Sequence, residues 1–264
     1  MNILDQNRCI SACEAREQGY RFLYETHLHT CQSSACAHNT GYEMARAAKE
    51  AGYAGIIVTD HNWGGNTSVD RSLPWQEWVR RFELGYLDAK RYGDAHDLDV
   101  FFGYEAGYRG TEFLIYGVDA GWMAAHPELR TASVEEQYRL IHGVGGMVIH
   151  AHPFREESYI PEVRLFPEAV DGVEGVNATH SNSRSKGHNN PHFDELAVAY
   201  AAEHGLPMTA GSDIHTTQLF GGGMLFKRRL SSVQDFIGAV LLGEDYLLTN
   251  GERILDKHGA HMAV

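Results

Sequence analysis

Short apolar runs alternate with longer amphipathic stretches along most of this chain. Residues 55–59, Gly-Ile-Ile-Val-Thr, are almost unbroken in their apolar character, as expected of a strand buried on both faces. Runs of the same kind lie at 21–26, 99–102, 113–116, 147–149, 172–176, 207–210 and 246–248. Between them the text turns helical. Residues 41–51 are rich in good helix formers and meet Gly52, which is placed to end them. Pro74 opens a second helix, running to about residue 92. Ser133-Val134-Glu135-Glu136 has capping-box spacing and starts a helix that reaches His142. Residues 192–204 form another helix closed by Gly205, and 232–242 form the last.

Strands alternating with helices imply parallel strands joined by right-handed crossovers. The chain has 264 residues, which fits one domain spanning 1–264. No low-complexity linker and no solenoid repeat divides it. The expected class is α/β, with the strands curled into a distorted barrel; an open doubly wound sheet is the alternative.

Composition narrows the partners. A net charge of −13 argues against a long phosphate polymer and against an anionic membrane surface. It does not exclude a small anionic substrate, because bound divalent ions reverse the local sign. Four cysteines, Cys9, Cys13, Cys31 and Cys36, all precede residue 37 and form no Cys-x-x-Cys pair. That usage points to a reducing, cytoplasmic setting. Neither a signal peptide nor a transmembrane helix is read in the sequence.

Sixteen histidines change the picture more. Five segments that end or follow apolar runs carry metal-type side chains: His27-Leu28-His29, Thr59-Asp60-His61, Gly103-Tyr104-Glu105, His150-Ala151-His152-Pro153 and Gly211-Ser212-Asp213-Ile214-His215. Residues i and i+2 of a strand share a face, so His27 and His29 can reach one ion. Asp60 suits either a turn cap or a group that orients a histidine. A carboxylate such as Glu105 can bridge two ions. His152 reads as a ligand and His150 as a supporting or barrel residue, roles open to exchange. Arg155, Arg184 and Lys186 lie in nearby polar loops, where an arginine fork suits a phosphate. His180, in the loop before Arg184, fits an extra ligand, a substrate contact or a proton donor. Trp63, Trp75 and Trp78 read as core or lid rather than as a stacking platform.

These motifs, in this order from residue 27 to 215, resemble the polymerase-and-histidinol-phosphatase (PHP) family. The resemblance implies a distorted (β/α)7-type barrel with two or three divalent ions (zinc, manganese or iron) at the carboxyl ends of its strands. It implies that His27, His29, Glu105 and Asp213 hold one ion, Glu105 and His152 a second, and His61 and His215 a third. The chain departs from the family pattern twice. Residues 30–36 carry no acid, leaving Cys36 or His38 as substitutes, and 113–116 carry no histidine, leaving His180 for the second ion.

The function so implied is hydrolysis of a small phosphorylated substrate (a nucleotide, a sugar phosphate or histidinol phosphate) by metal-activated water. Arg155 and Arg184 would grip the phosphate and His180 would protonate the leaving oxygen. The alternatives are a metal- or nucleotide-binding module without turnover and an amidohydrolase-like enzyme that cleaves C–N bonds. The latter ranks lower because no lysine stands at a strand end to serve as a carbamylated bridge.

Overall fold

A computed structural model describes residues 11–262. Cys9, and the first ten residues in which no signal peptide was read, lie outside the described residues. In chain order the first half comprises α1 (Ala12–Glu17), β1 (Phe22–Leu28), α2 (Gly41–Glu50), β2 (Gly55–Val58), α3 (Trp75–Phe82), α4 (Leu84–His96), β3 (Asp99–Tyr108) and β4 (Thr111–Tyr116). Then come α5 (Ala120–Ala125), α6 (Val134–His142), β5 (Met147–Ala151), β6 (Gly172–Asn177), α7 (Ala178–Ser181) and α8 (His192–His204). The chain continues through β7 (Met208–Gly211), β8 (Gly222–Phe226), α9 (Val233–Leu241), β9 (Tyr246–Asn250) and β10 (Ile254–Asp256).

Local chemistry sets most of these boundaries. Thr40 with Glu43, and Ser133 with Glu136, form complete capping boxes at α2 and α6. Gly205 closes α8 in the left-handed conformation. The helix expected from Pro74 to residue 92 is instead two helices that meet at Glu83. Trp75 and Trp78 of α3 stack in a buried aromatic cluster, whereas Ala89 and Tyr92 of α4 pack with Met44, Ala45 and Ala48 of α2. Two helices let one segment serve two cores.

The strand period divides the apolar residues between layers. Ile57 of β2 joins Tyr24, Leu114, Tyr116 and Ile149 in one cluster, while its neighbours Ile56 and Val58 face α2 and α4. A strand apolar on both sides is what this arrangement demands.

The strands form a curled, distorted half-barrel of ten, in the order β10-β9-β8-β1-β2-β3-β4-β5-β6-β7. This corrects the expected all-parallel seven-stranded barrel. β1-β2-β3 and β5-β6-β7 are parallel, but β4 runs antiparallel to both β3 and β5. β8, β9 and β10 add an antiparallel meander beside β1. The reason is connection length: only Arg109 and Gly110 separate β3 from β4, too few for a crossover. The curl returns the segment after β7 to β1, where Ile214 N donates to His27 O (3.2 Å) and His29 N donates to Ile214 O (3.0 Å). No helix among the described residues is long and apolar enough to cross a membrane.

Candidate metal centre

The curl brings the ends of β1, β2, β5 and β7 to one rim. His27 lies within β1 and His29 just beyond it; His61 follows β2, His152 follows β5, and Asp213 and His215 follow β7. Glu105 is different, because β3 runs three residues past it into the β3–β4 turn.

Seven residues singled out by the motifs meet here. Glu105 stands at the centre. Its Oε1 is 3.3 Å from His27 Nε2 and 3.0 Å from His152 Nε2; its Oε2 is 2.9 Å from His61 Nδ1 and 3.5 Å from His29 Nε2. One carboxylate thus faces two sets of imidazoles. Asp213 Oδ1 lies 3.1 Å from His29 Nε2, 3.4 Å from His27 Nε2 and 3.8 Å from His215 Nε2. Four overlapping groups have donor atoms within 4.8 Å of one another: His29 with His61 and His215; His27 with His29 and Asp213; His27 with Glu105 and His152; and His61 with Glu105 and Glu112.

Glu112 was missed in the sequence. Glu112 lies at the start of β4, not at the carboxyl end of a strand. Because β4 is antiparallel, its beginning lies at the rim where parallel strands end. Its carboxylate is 3.5 Å from His61 Nδ1 and 3.7 Å from His152 Nε2. The only sequence signal was a carboxylate just past a Gly-containing hairpin turn.

Buried partners hold these side chains. Glu174 of β6, also missed, accepts from the His152 amide (3.1 Å) and from Asn177 Nδ2 (3.0 Å), and pairs with His27 Nδ1 at 2.9 Å. Asp60 makes long-range contacts instead of capping its own turn: it accepts from Thr30 N and Thr30 Oγ1, and from Ser34 Oγ, which contacts His29 Nδ1. Space is tight. A Cβ on Gly211 would lie 2.5 Å from His27 Cβ, and one on Gly85 would lie 1.9 Å from Thr30 Oγ1. His152 (φ 29°) and Asp213 (φ 54°) have left-handed backbones that cost non-glycine residues free energy.

Charge follows the geometry. Burial pulls the His27 imidazole down, but Glu174, Asp213 and Glu105 outweigh it and hold the pKa well above the usual value. His29 is depressed by burial and by His61 and His215. Glu105 and Asp213 stay well below the carboxylate range despite burial, the first because of His27 and His61, the second chiefly because of Arg155. Burial and the adjacent Glu105 raise Glu112. His27 Nε2, His61 Nδ1 and Glu105 Oε2 are buried without a well-formed hydrogen bond. Orphaned donors of this type, converging with carboxylates, fit divalent cations.

A cleft of about 510 Å³ opens onto this rim, lined by His61, Glu105, His152, Asp213 and, at its sides, Arg155 and Tyr159. Arg155 is buried and donates to Asp213 Oδ2 (2.6 Å). Cys36 lines the cleft beside His61 and His215; burial raises its thiol pKa, but the two imidazoles bring it down to about 7. The other expected residues lie elsewhere. Arg184 is exposed, with its guanidinium on the Phe220 ring and carbonyl, and Lys186 and His38 are exposed. His180 reaches none of the donor groups; its ring nitrogens contact Asp194 and Arg155. His150 is buried against Phe113 and Phe166, behind the site. Trp75 and Trp78 are buried in the core, with Trp63 packed against them.

Residues 191–244 match the family described as PHP-associated. A two-domain protein from Bacteroides vulgatus containing a predicted PHP-like metal-dependent phosphoesterase shares the fold, with a TM-score of 0.60 and 14% identity over 86% of this chain. The chain spans 64% of that protein's length. PsfC from Pseudomonas syringae aligns with a TM-score of 0.58 and 18% identity, over 82% of this chain and 87% of PsfC. No curated protein sequence matches. Fold and C-terminal segment are therefore PHP-like, and the buried clusters are consistent with one or more divalent-metal sites.

Proposed function

We propose that this PHP-like chain is a metal-dependent phosphoesterase acting on a small phosphorylated substrate. The observation that carries the reading is Glu105, whose two oxygens face different imidazole sets beside a buried arginine. Two or three divalent ions, zinc, manganese or iron, are the proposed cofactors. His27, His29 and Asp213 would hold one, and Glu105 with His152 another. His61 would serve a further ion, with His215 or with Glu105 and Glu112. Ions at such donors supply a nucleophile from water near neutral pH and positive charge against phosphoryl oxygens.

The protein's own residues do the rest. Glu174 and the Asp60–Ser34 pair orient His27 and His29. Arg155 keeps N–H groups beyond those bound to Asp213 and His180, and these can grip a phosphoryl group in the cleft. The cleft volume suits a nucleotide, sugar phosphate or histidinol phosphate, within the range of about 300–1,000 Å³ usual for small-molecule sites. Net charge of −13 disfavours a nucleic-acid polymer. Unpaired Cys13, Cys31 and Cys36 support a reducing, cytoplasmic setting.

The test is metal analysis followed by a panel of phosphomonoesters and bisphosphates. Hydrolysis should require bound metal and fall at least about 100-fold in His27→Ala and Asp213→Ala. Metal-replete protein inert toward the whole panel would remove the reading.

A further inference from the structure

We infer that Asp194 and His180 are positioning residues that hold the Arg155 guanidinium toward the cleft, and that His180 is not a proton donor to the leaving group. This rests on the phosphoesterase reading only for the identity of the anion that Arg155 meets.

Three side chains from separate parts of the chain form one buried line. Asp194, in the first turn of α8, pairs with His180 Nδ1 at 2.8 Å; Arg155 Nε lies 3.0 Å from His180 Nε2; and Arg155 Nη2 donates to Asp213 Oδ2 at 2.6 Å. Their fractional exposures are 9% for Asp194, 1% for His180 and 4% for Arg155, so all three are largely withdrawn from water.

Donor chemistry fixes the roles. A guanidinium nitrogen only donates, so His180 Nε2 must accept. Its proton then sits on Nδ1 and donates to Asp194 Oδ1. The same oxygen accepts from the Asn177 amide at 3.2 Å, which ties the carboxyl group to the end of β6. Burial and the Arg155 charge both disfavour a second proton on the ring. A neutral imidazole with both nitrogens engaged has nothing to give a leaving oxygen. What it can do is stop rotation of the guanidinium. Held at Nε by His180 and at one Nη by Asp213, the fork has a fixed plane, and its other N–H groups remain beside the Tyr159 hydroxyl at the cleft wall. Asp194 belongs to the segment that matches the PHP-associated family, so α8 supplies a residue to the site and not only packing.

Inorganic phosphate is titrated by calorimetry into metal-loaded protein, and the metal content of each variant is measured. Arg155→Ala should weaken phosphate at least about 10-fold, the loss of one charged hydrogen bond. His180→Ala and Asp194→Ala should each weaken it about 3- to 10-fold at unchanged metal content. Asp194→Ala leaves the imidazole in place and serves if His180→Ala does not fold. His180→Gln, which offers a carbonyl oxygen near the Nε2 position, should restore most of the affinity. Adding His180→Ala to Arg155→Ala should cost nothing further, because the two residues act as one unit. Where a substrate is turned over, His180→Ala should raise KM and largely spare kcat. A fall in kcat of about 100-fold or more at constant KM would instead identify a general acid and overturn the inference. Unchanged phosphate affinity in both alanine variants, additive effects in the double variant, or no phosphate binding by the wild-type protein would also overturn it. Phosphate binding with the expected variant pattern, but no hydrolysis on the ester panel, would sink the phosphoesterase reading and leave the relay standing.

Discussion

Replacing Glu174 tests whether the centre depends on its support as much as on its donors. The side chain is 1% exposed and makes three contacts, to His27 Nδ1 (2.9 Å), His152 N (3.1 Å) and Asn177 Nδ2 (3.0 Å). Glu174→Ala leaves three buried polar groups without their partner, each costing about 1–3 kcal/mol if unsatisfied. Some relaxation is expected, so the metal-free protein should lose about 3–5 kcal/mol, a large part of a typical domain's stability. Glu174→Gln keeps the shape and one carbonyl acceptor but removes the charge that raises His27 basicity. It should lose less stability, yet still bind metal about 10- to 100-fold more weakly, as when an outer carboxylate is taken from a ligating histidine. Urea unfolding of metal-free protein gives the first quantity, and competition with a chromophoric chelator gives the second. Wild-type metal affinity in a folded Glu174→Gln protein would refute the claim that this carboxylate tunes His27.

Glu112→Ala should weaken one metal equivalent by at least about 10-fold and leave the others bound, as judged by metal analysis after dialysis. Gly85→Ala places a methyl group 1.9 Å from Thr30 Oγ1 and 2.7 Å from Asp60 Oδ2; thermal melting should show destabilisation of about 1–3 kcal/mol or more. Burial pushes the Asp194 carboxyl from 3.8 up to about 8, so between those values the folded protein binds more protons than the unfolded chain. This group's contribution to stability is therefore complete below about pH 4 and is lost as pH rises towards 8. Asp194→Asn should flatten that decline, so its stability relative to wild type improves between pH 5 and pH 8 in urea titrations. An unchanged difference across the window would show that Asp194 does not titrate there.

Much of the donor set was legible because its signals are local. Two histidines at i and i+2 on a strand share a face in any fold, and an apolar run such as Ile56-Ile57-Val58 must lie between two layers. Capping boxes at Thr40 and Ser133 and the terminating Gly205 likewise act within a few residues. The glycine run at 221–223 concealed β8, because its meaning is tertiary. Gly223 needs φ 128°, and a Cβ there would lie 2.1 Å from the Tyr24 carbonyl oxygen, so only glycine lets β8 press against β1.

Sequence alone determined which atoms are available: imidazoles and carboxylates placed at strand ends, in an acidic chain rich in histidine. Tertiary structure decided which of them meet. Strand direction is a long-range property, and reversing one strand moved Glu112 to the working rim. Curling the sheet set Glu174 behind His27, and the packing of α8 brought Asp194 to His180 and turned that histidine away from the donor groups. Such contacts join residues far apart in the chain, where no short-range periodicity records the pairing.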